Sequence, residues 1–182
     1  MLVPALASRK WRLYSPLMLN RTYDREVCSA ARALEVAGER WSLLILRNAA
    51  FAGMTRFSEF EKSLAIAPNV LATRLDHFLA EGLMTTRLGE AGHPEYQLTE
   101  KGLEFKSVIV ALTQWGDRWA APDGPPIAYE HDDCGGAVRS RLHCSRCDET
   151  VAPRQVVARP TPVMERLKAR RSARVSQSRT RR

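Results

Sequence analysis

The residues with the most chemistry to offer lie toward the C-terminus, in the spacing His131-x2-Cys134-x9-Cys144-x2-Cys147. Two close ligand pairs separated by a short hairpin suit tetrahedral zinc, because each pair can grip one edge of the tetrahedron. Gly135-Gly136 follows the first pair and permits the tight backbone of a knuckle, whereas Asp148 stands after Cys147. His143 is a competing ligand, although its neighbour Cys144 must then point elsewhere. Without metal, the same residues are reduced thiols and an imidazole on a surface extension. Residues 122–159 hold few large apolar side chains and would struggle to fold unaided. The spacing therefore predicts one structural Zn2+ per chain and a small zinc-ribbon-like extension. With no open coordination position and no adjacent general base, that metal is expected to be structural and not catalytic.

Cys28 stands apart from this set. It falls near the start of the first expected helix, between Arg25 and Arg32, surroundings that suit a reactive thiol. A redox sensor is one reading, and a small buried apolar residue is the other. The histidines His77, His93, His131 and His143 have no Ser, Cys or carboxylate arranged with them as nucleophile and base. No glycine-rich phosphate loop occurs either. An enzyme is not expected.

The net charge of +8 is unevenly spread. From Pro160 to Arg182, eight Lys or Arg residues face one acid, Glu165, while residues 1–159 carry 20 basic and 19 acidic groups. Such a block is expected to be a solvated, disordered tail over 160–182. It would add affinity for any polyanion without choosing a sequence. A chain of 182 residues accommodates one ordinary domain plus appendages. The runs WSLLIL and VIVAL fall well short of the roughly 18 apolar residues of a membrane span. Leu2 to Ala7 is too short for a signal-peptide core, and its basic residues Arg9, Lys10 and Arg12 follow it. The protein is therefore expected in the cytoplasm, without a membrane partner and with reduced or metal-bound thiols. Residues 1–20, with Pro4 and Pro16 and no sustained period, read as a flexible leader in which Met18 is an alternative start.

The elements that must position these groups are mainly helical. Val27, Ala30, Leu34 and Ala37 mark a first helix closed by Gly38 at a C′ position. A second helix spans about 39–52, with Trp41, Leu44, Ile45 and Phe51 as candidates for burial and Gly53 as its stop. Ser58-Glu59-Phe60-Glu61 matches a capping box opening a third helix. Ala65-Ile66-Ala67 is a tight turn, and Pro68 opens a fourth helix where a missing N–H costs nothing. On that helix Leu71, Leu75, Phe78 and Leu79 share one arc, and Asn69, Ala72, Thr73, Asp76 and His77 share the opposite one. Gly82 ends it. Leu83 to Leu88 and Glu95 to Leu98 read as a hairpin with its tip at 89–94.

Thr99 then caps a long last helix reaching about Trp119. Its stripe of Phe105, Val108, Leu112, Trp115 and Trp119 is core in most proteins, and a dimer seam on a terminal helix. The fold class expected for residues 21–121 is thus a winged helix-turn-helix, mainly α with a small β hairpin. Its usual use is to lay one helix in the DNA major groove.

Residues 28–119 closely resemble the HxlR-type branch of the MarR-like winged-helix regulators. The motifs that carry the resemblance occur in order. They are Cys28 through Arg32-Ala33-Leu34, Gly38-Glu39-Arg40-Trp41-Ser42-Leu43-Leu44-Ile45-Leu46-Arg47 and Arg56-Phe57-Ser58-Glu59-Phe60. Leu75 through Glu81-Gly82-Leu83, Tyr96-Gln97-Leu98-Thr99-Glu100-Lys101-Gly102 and Trp115-Gly116-Asp117-Arg118-Trp119 complete the set. The resemblance implies a homodimeric transcription factor, commonly a repressor, on a pseudo-palindromic double-stranded DNA operator. It implies dimer contacts through the N-terminal helix and the 100–120 helix. Several relatives use a cysteine at the position of Cys28 to sense oxidants. Recognition helices of such proteins commonly begin with a Ser cap and a basic residue, where this chain has Ala67, Pro68 and Asn69. The wing tip, Gly89 to Pro94, is also poorer in Arg than usual.

On a recognition helix the first turns point at base edges, so Asn69 and Thr73 are the candidates for direct readout, and Ala72 could sit against a thymine methyl. Arg74 could reach a phosphate or an acid within the domain, and Asp76 would face DNA unfavourably unless paired. Arg56, Arg87 and His93 are candidate phosphate contacts from the turn and wing. For each, the alternative is a solvated surface residue. A different class of function is a zinc-ribbon interaction protein whose winged helix is a scaffold and whose tail binds nucleic acid loosely. Only the regulator would prefer one operator strongly over bulk DNA.

Overall fold

A computed structural model describes residues 23, 28–89 and 92–170. The expected leader with Met18, Arg25 and the end of the basic tail lie outside the described residues.

Helix α1 (Ser29–Ala37) begins at Cys28, whose Sγ accepts the Ala31 N–H at 3.3 Å. Gly38 closes it as the C-cap in ordinary helical geometry, φ −79°, and not as the left-handed C′ residue its type suggested. Helix α2 (Ser42–Phe51) buries Ile45 and Leu46 completely. Phe51, expected in the core, lies at the rim, its ring 4.6 Å from that of Tyr129.

Helix α3 (Phe57–Leu64) is capped at Arg56, two residues before the Ser58 that the sequence suggested. The capping acid is therefore Glu59, and Ser58–Glu61 forms no box: Glu59 Oε2 accepts the N–H groups of Thr55 and Arg56, both at 2.9 Å. Ala65 turns the chain in the left-handed region, φ 48°, and Ile66 plugs the turn with 3% exposure. Helix α4 (Pro68–Ala80) opens on its proline as expected, and Gly82 leaves it at φ 68°. Its apolar arc is the centre of the core. Leu71, Leu75 and Phe78 are fully buried against Ile45, Leu46, Phe60 and Leu83.

Strands β1 (Met84–Leu88) and β2 (Pro94–Leu98) pair antiparallel, from Met84 opposite Leu98 to Leu88 opposite Pro94. The residues before α3 add to this wing: Arg56 bridges Glu95, and the Tyr96 N–H donates to Thr55 O at 2.7 Å. The expected single last helix is two, α5 (Glu100–Leu103) and α6 (Phe105–Trp119). Thr99 caps the first, accepting the Gly102 N–H at 3.2 Å. Gly102 lies against the Leu83 carbonyl, where an added Cβ would overlap that oxygen. This close approach fixes the turn before α6 begins. Ile109 and Val110 form the buried face of α6, whereas Val108, Leu112, Trp115 and Trp119 stay exposed. Of the stripe, Phe105 packs against the core and the other four residues do not join it.

The extension docks on the body. Tyr129 OH lies 3.2 Å from Thr113 Oγ1, and Gln114 Oε1 accepts the Ser140 N–H at 3.0 Å. Glu130 bridges Ala137, and β3 (His143–Cys144) pairs with β4 (Glu149–Thr150). The tail expected to be disordered from 160 is helical over 162–170. Pro162 follows Thr161, whose hydroxyl accepts the Met164 N–H at 3.5 Å, and Glu165 stands 3.9 Å from Lys168. A start suited to a helix outweighs charge repulsion over that stretch. Among the described residues no helix is long and apolar enough to cross a membrane.

Candidate nucleic-acid interface

The geometry of α4 follows from its two faces. Because Leu71, Leu75 and Phe78 are locked into the core, Asn69, Thr73 and Asp76 are forced outward. Thr73 Oγ1 donates to Asn69 O at 2.8 Å, so its hydroxyl proton serves the helix itself. What it can offer a base is a lone pair or its methyl group. Ala72 and Arg74 are half-buried at the flanks, and Arg74 pairs with no acid among the described residues. His77 departs from expectation: its Nε2 lies 3.2 Å from Val36 O, which ties α4 to α1 and takes it out of the polar face. Asp76 sits close enough to Tyr96 to act on it. Burial first, and the Asp76 charge second, push the Tyr96 hydroxyl above its ordinary range.

Arg56 and Arg87, proposed from sequence as separate phosphate contacts, meet at one carboxylate. Glu95 stands opposite Arg87 in the hairpin register and is 8% exposed. Its Oε2 accepts from Arg87 Nε at 3.1 Å and lies 3.0 Å from an Arg87 terminal nitrogen, while Oε1 lies 3.5 Å from Arg56 Nε. Both arginines remain more than half exposed. Nearby, the backbone N–H groups of Arg56 and Thr55 hold the Glu59 carboxyl below the usual range. The place of Glu95 was not legible in the sequence: a tip at 89–94 sets it across from Leu88, whereas the observed register, in which Pro94 is already paired, sets it across from Arg87. His93 is exposed at the wing, its carbonyl accepting the Gly89 N–H at 2.9 Å.

Cys28 is exposed at the start of α1, not a buried apolar residue. Of its expected cationic neighbours, Arg32 forms an ion pair with Glu35 at 2.8 Å.

The proposed metal ligands form two pairs. His131 Nδ1 is 3.3 Å from Cys134 Sγ, and the Gly135 N–H donates to His131 O at 2.7 Å. In the second loop the Asp148 N–H donates to Cys144 O at 2.9 Å. Gly135 and Asp148 occupy the same left-handed position, φ 67° and φ 59°. The N–H groups of Cys147 and Arg146 point at Cys144 and hold its thiol below the ordinary range. His143 Nε2 pairs with Asp148 at 3.1 Å. The two pairs do not converge. Among the described residues no three His, Cys, Asp or Glu side chains are grouped to hold a metal ion.

A helix-turn-helix with an exposed polar face on its second helix and two exposed arginines, Arg56 and Arg87, at the wing beside it defines a DNA-binding regulator, a class that acts without catalysis. The model of the HxlR-like helix-turn-helix family matches residues 36–124. An HTH-type transcriptional regulator of Mycobacterium tuberculosis, Rv3095, whose role is uncharacterised, is 42% identical over 138 residues, 74% of this chain and 86% of that protein. That match is longer than the family segment, so the likeness continues outside the winged helix. The crystal structure of PA1607, a candidate transcription factor, superposes with a TM-score of 0.67 at 37% identity, covering 75% of this chain and 97% of the other. PA1374 from Pseudomonas aeruginosa, another candidate transcription factor, gives 0.52 at 36% identity, covering 74% and 93%. The chain belongs to the HxlR-like helix-turn-helix family and is a DNA-binding transcriptional regulator.

Proposed function

We propose that the protein is a cytoplasmic, homodimeric repressor that sets two copies of α4 into successive major grooves of a pseudo-palindromic operator. The observation that carries this reading is the division of α4, with Asn69 and Thr73 outward and Leu71, Leu75 and Phe78 sealed in the core. Asn69 and Thr73 would read base edges, with Ala72 beside them, while Arg56, Arg74, Arg87 and His93 would meet phosphates. Dimerisation is supported by the row of Val108, Leu112, Trp115 and Trp119 on α6, 49–65% exposed, together with Leu34 on α1, 51% exposed. Apolar area of that size left to water is costly, and a second copy offers the same residues in return. Footprinting on fragments recovered from the cell should reveal two protected half-sites about one helical turn apart. Uniform protection of every fragment would instead favour the tail-driven interaction protein. Replacing Trp115 and Trp119 with Glu should leave a folded monomer.

Zinc belongs to the same reading. The matched turns at Gly135 and Asp148 support two knuckles, and one structural Zn2+ per chain would draw His131 and Cys134 to Cys144 and Cys147. Protein purified without chelators should carry about one equivalent of zinc per chain; less than about half an equivalent rejects the site.

A further inference from the structure

Glu95, buried in the wing, sits between two arginines that the proposed function assigns to DNA phosphates. Glu95 is held at that point by three independent features. The hairpin register sets it opposite Arg87, the antiparallel bridge sets it opposite Arg56, and Gly89 leaves room for it. A Cβ on Gly89 would come within 2.8 Å of the Glu95 carboxyl carbon. Removing a carboxylate from water is costly unless cations compensate it, and here both cations keep exposed faces. Two guanidinium groups are thereby fixed at one place, one from the start of the helix-turn-helix and one from the wing. Their combined charge with Glu95 is +1 and not +2.

We infer that Glu95 is a positioning residue for operator recognition: it orients Arg56 and Arg87 as one fork for a DNA phosphate and restrains their charge against indiscriminate binding. The inference rests on the DNA-binding reading. An orienting acceptor reduces the rotamer freedom each arginine would lose on contact, which favours a duplex whose phosphates match the fork. Half-neutralised arginines also gain less from phosphates placed elsewhere.

The test titrates the full-length protein, across a range of salt concentrations, with the duplex that the wild type selects from a random pool and with a scrambled duplex. Glu95→Gln keeps the shape and removes the charge. The scrambled duplex should then bind more tightly, with a log–log salt slope steeper by about one, since one more cation is free to displace counterions. Preference for the selected duplex should fall about tenfold, within the range of one lost contact. An unchanged slope and unchanged preference overturn the inference. A second readout does not depend on how Glu95→Gln folds. Arg56→Gln and Arg87→Gln, both at exposed side chains, should be non-additive in binding the selected duplex because they share one carboxylate, and strict additivity overturns the inference. A wild type that prefers no duplex defeats the DNA-binding reading and this one together. A wild type that discriminates beside an unaltered Glu95→Gln protein and additive arginines defeats only this one.

Discussion

The segment from Arg56 to Thr99 and the extension from 122 to 159 are held by different physics. The first is organised around side chains with no exposure at all, Phe60, Leu71, Leu75, Phe78 and Leu83. In the second, every described residue is exposed or half-buried, and its attachment rests on the Tyr129 ring and the hydrogen bonds of Gln114. A packed core tolerates no slack and so fixes the outward face of α4 to within a side chain. A segment without a core can form its local turns correctly and still leave distant donors apart, as His131–Cys134 and Cys144–Cys147 are.

Substitutions on the two sides should diverge accordingly. Phe78→Ala should destabilise the protein by about 3–5 kcal/mol, the usual cost of an emptied aromatic site, measured by urea unfolding followed by tryptophan fluorescence. Gly102→Ala should cost about 1–3 kcal/mol in the same assay, because the Leu83 carbonyl must move to admit the methyl group. Tyr129→Ala removes the ring contact with Phe51 and the bond to Thr113, about 1–2 kcal/mol. That loss should appear as faster amide exchange over residues 126–141, with α4 protection retained; equal loss in both regions would erase the contrast between them. Ala65→Gly should stabilise by about 0.5–1 kcal/mol, since the left-handed turn suits a residue without a Cβ. Thermal unfolding resolves that shift.

The same contrast governs what could be read from the sequence. The boundaries of α4 were legible because Pro68 and Gly82 have backbone preferences that tertiary packing did not need to override. Its buried arc was legible from spacing alone. His77 was misplaced because a polar residue at the edge of an arc can face a neighbouring helix, and the Val36 carbonyl lies there. Ser58 looked like the better cap, but the bridge between Arg56 and Glu95 draws the cap back by two residues, to Arg56, and puts Glu59 in position. The break at Glu104 was hidden because nothing local announces that Gly102 meets a carbonyl nineteen residues earlier in the chain. In the extension the ligand spacing was plain, and even the missing glycine proved harmless, since Asp148 takes the left-handed turn itself. Contacts between the extension and α6 had no sequence signature.

The most direct probe of the recognition face is the affinity of Asn69→Ala/Thr73→Ala protein for the duplex the wild type selects, set against a scrambled duplex at physiological salt. The wild type should favour the selected duplex by about a thousandfold or more, and the double variant should lose about 10- to 100-fold of that preference with scrambled binding intact. An undiminished preference in the double variant would contradict the assignment of α4 as the element that reads the bases.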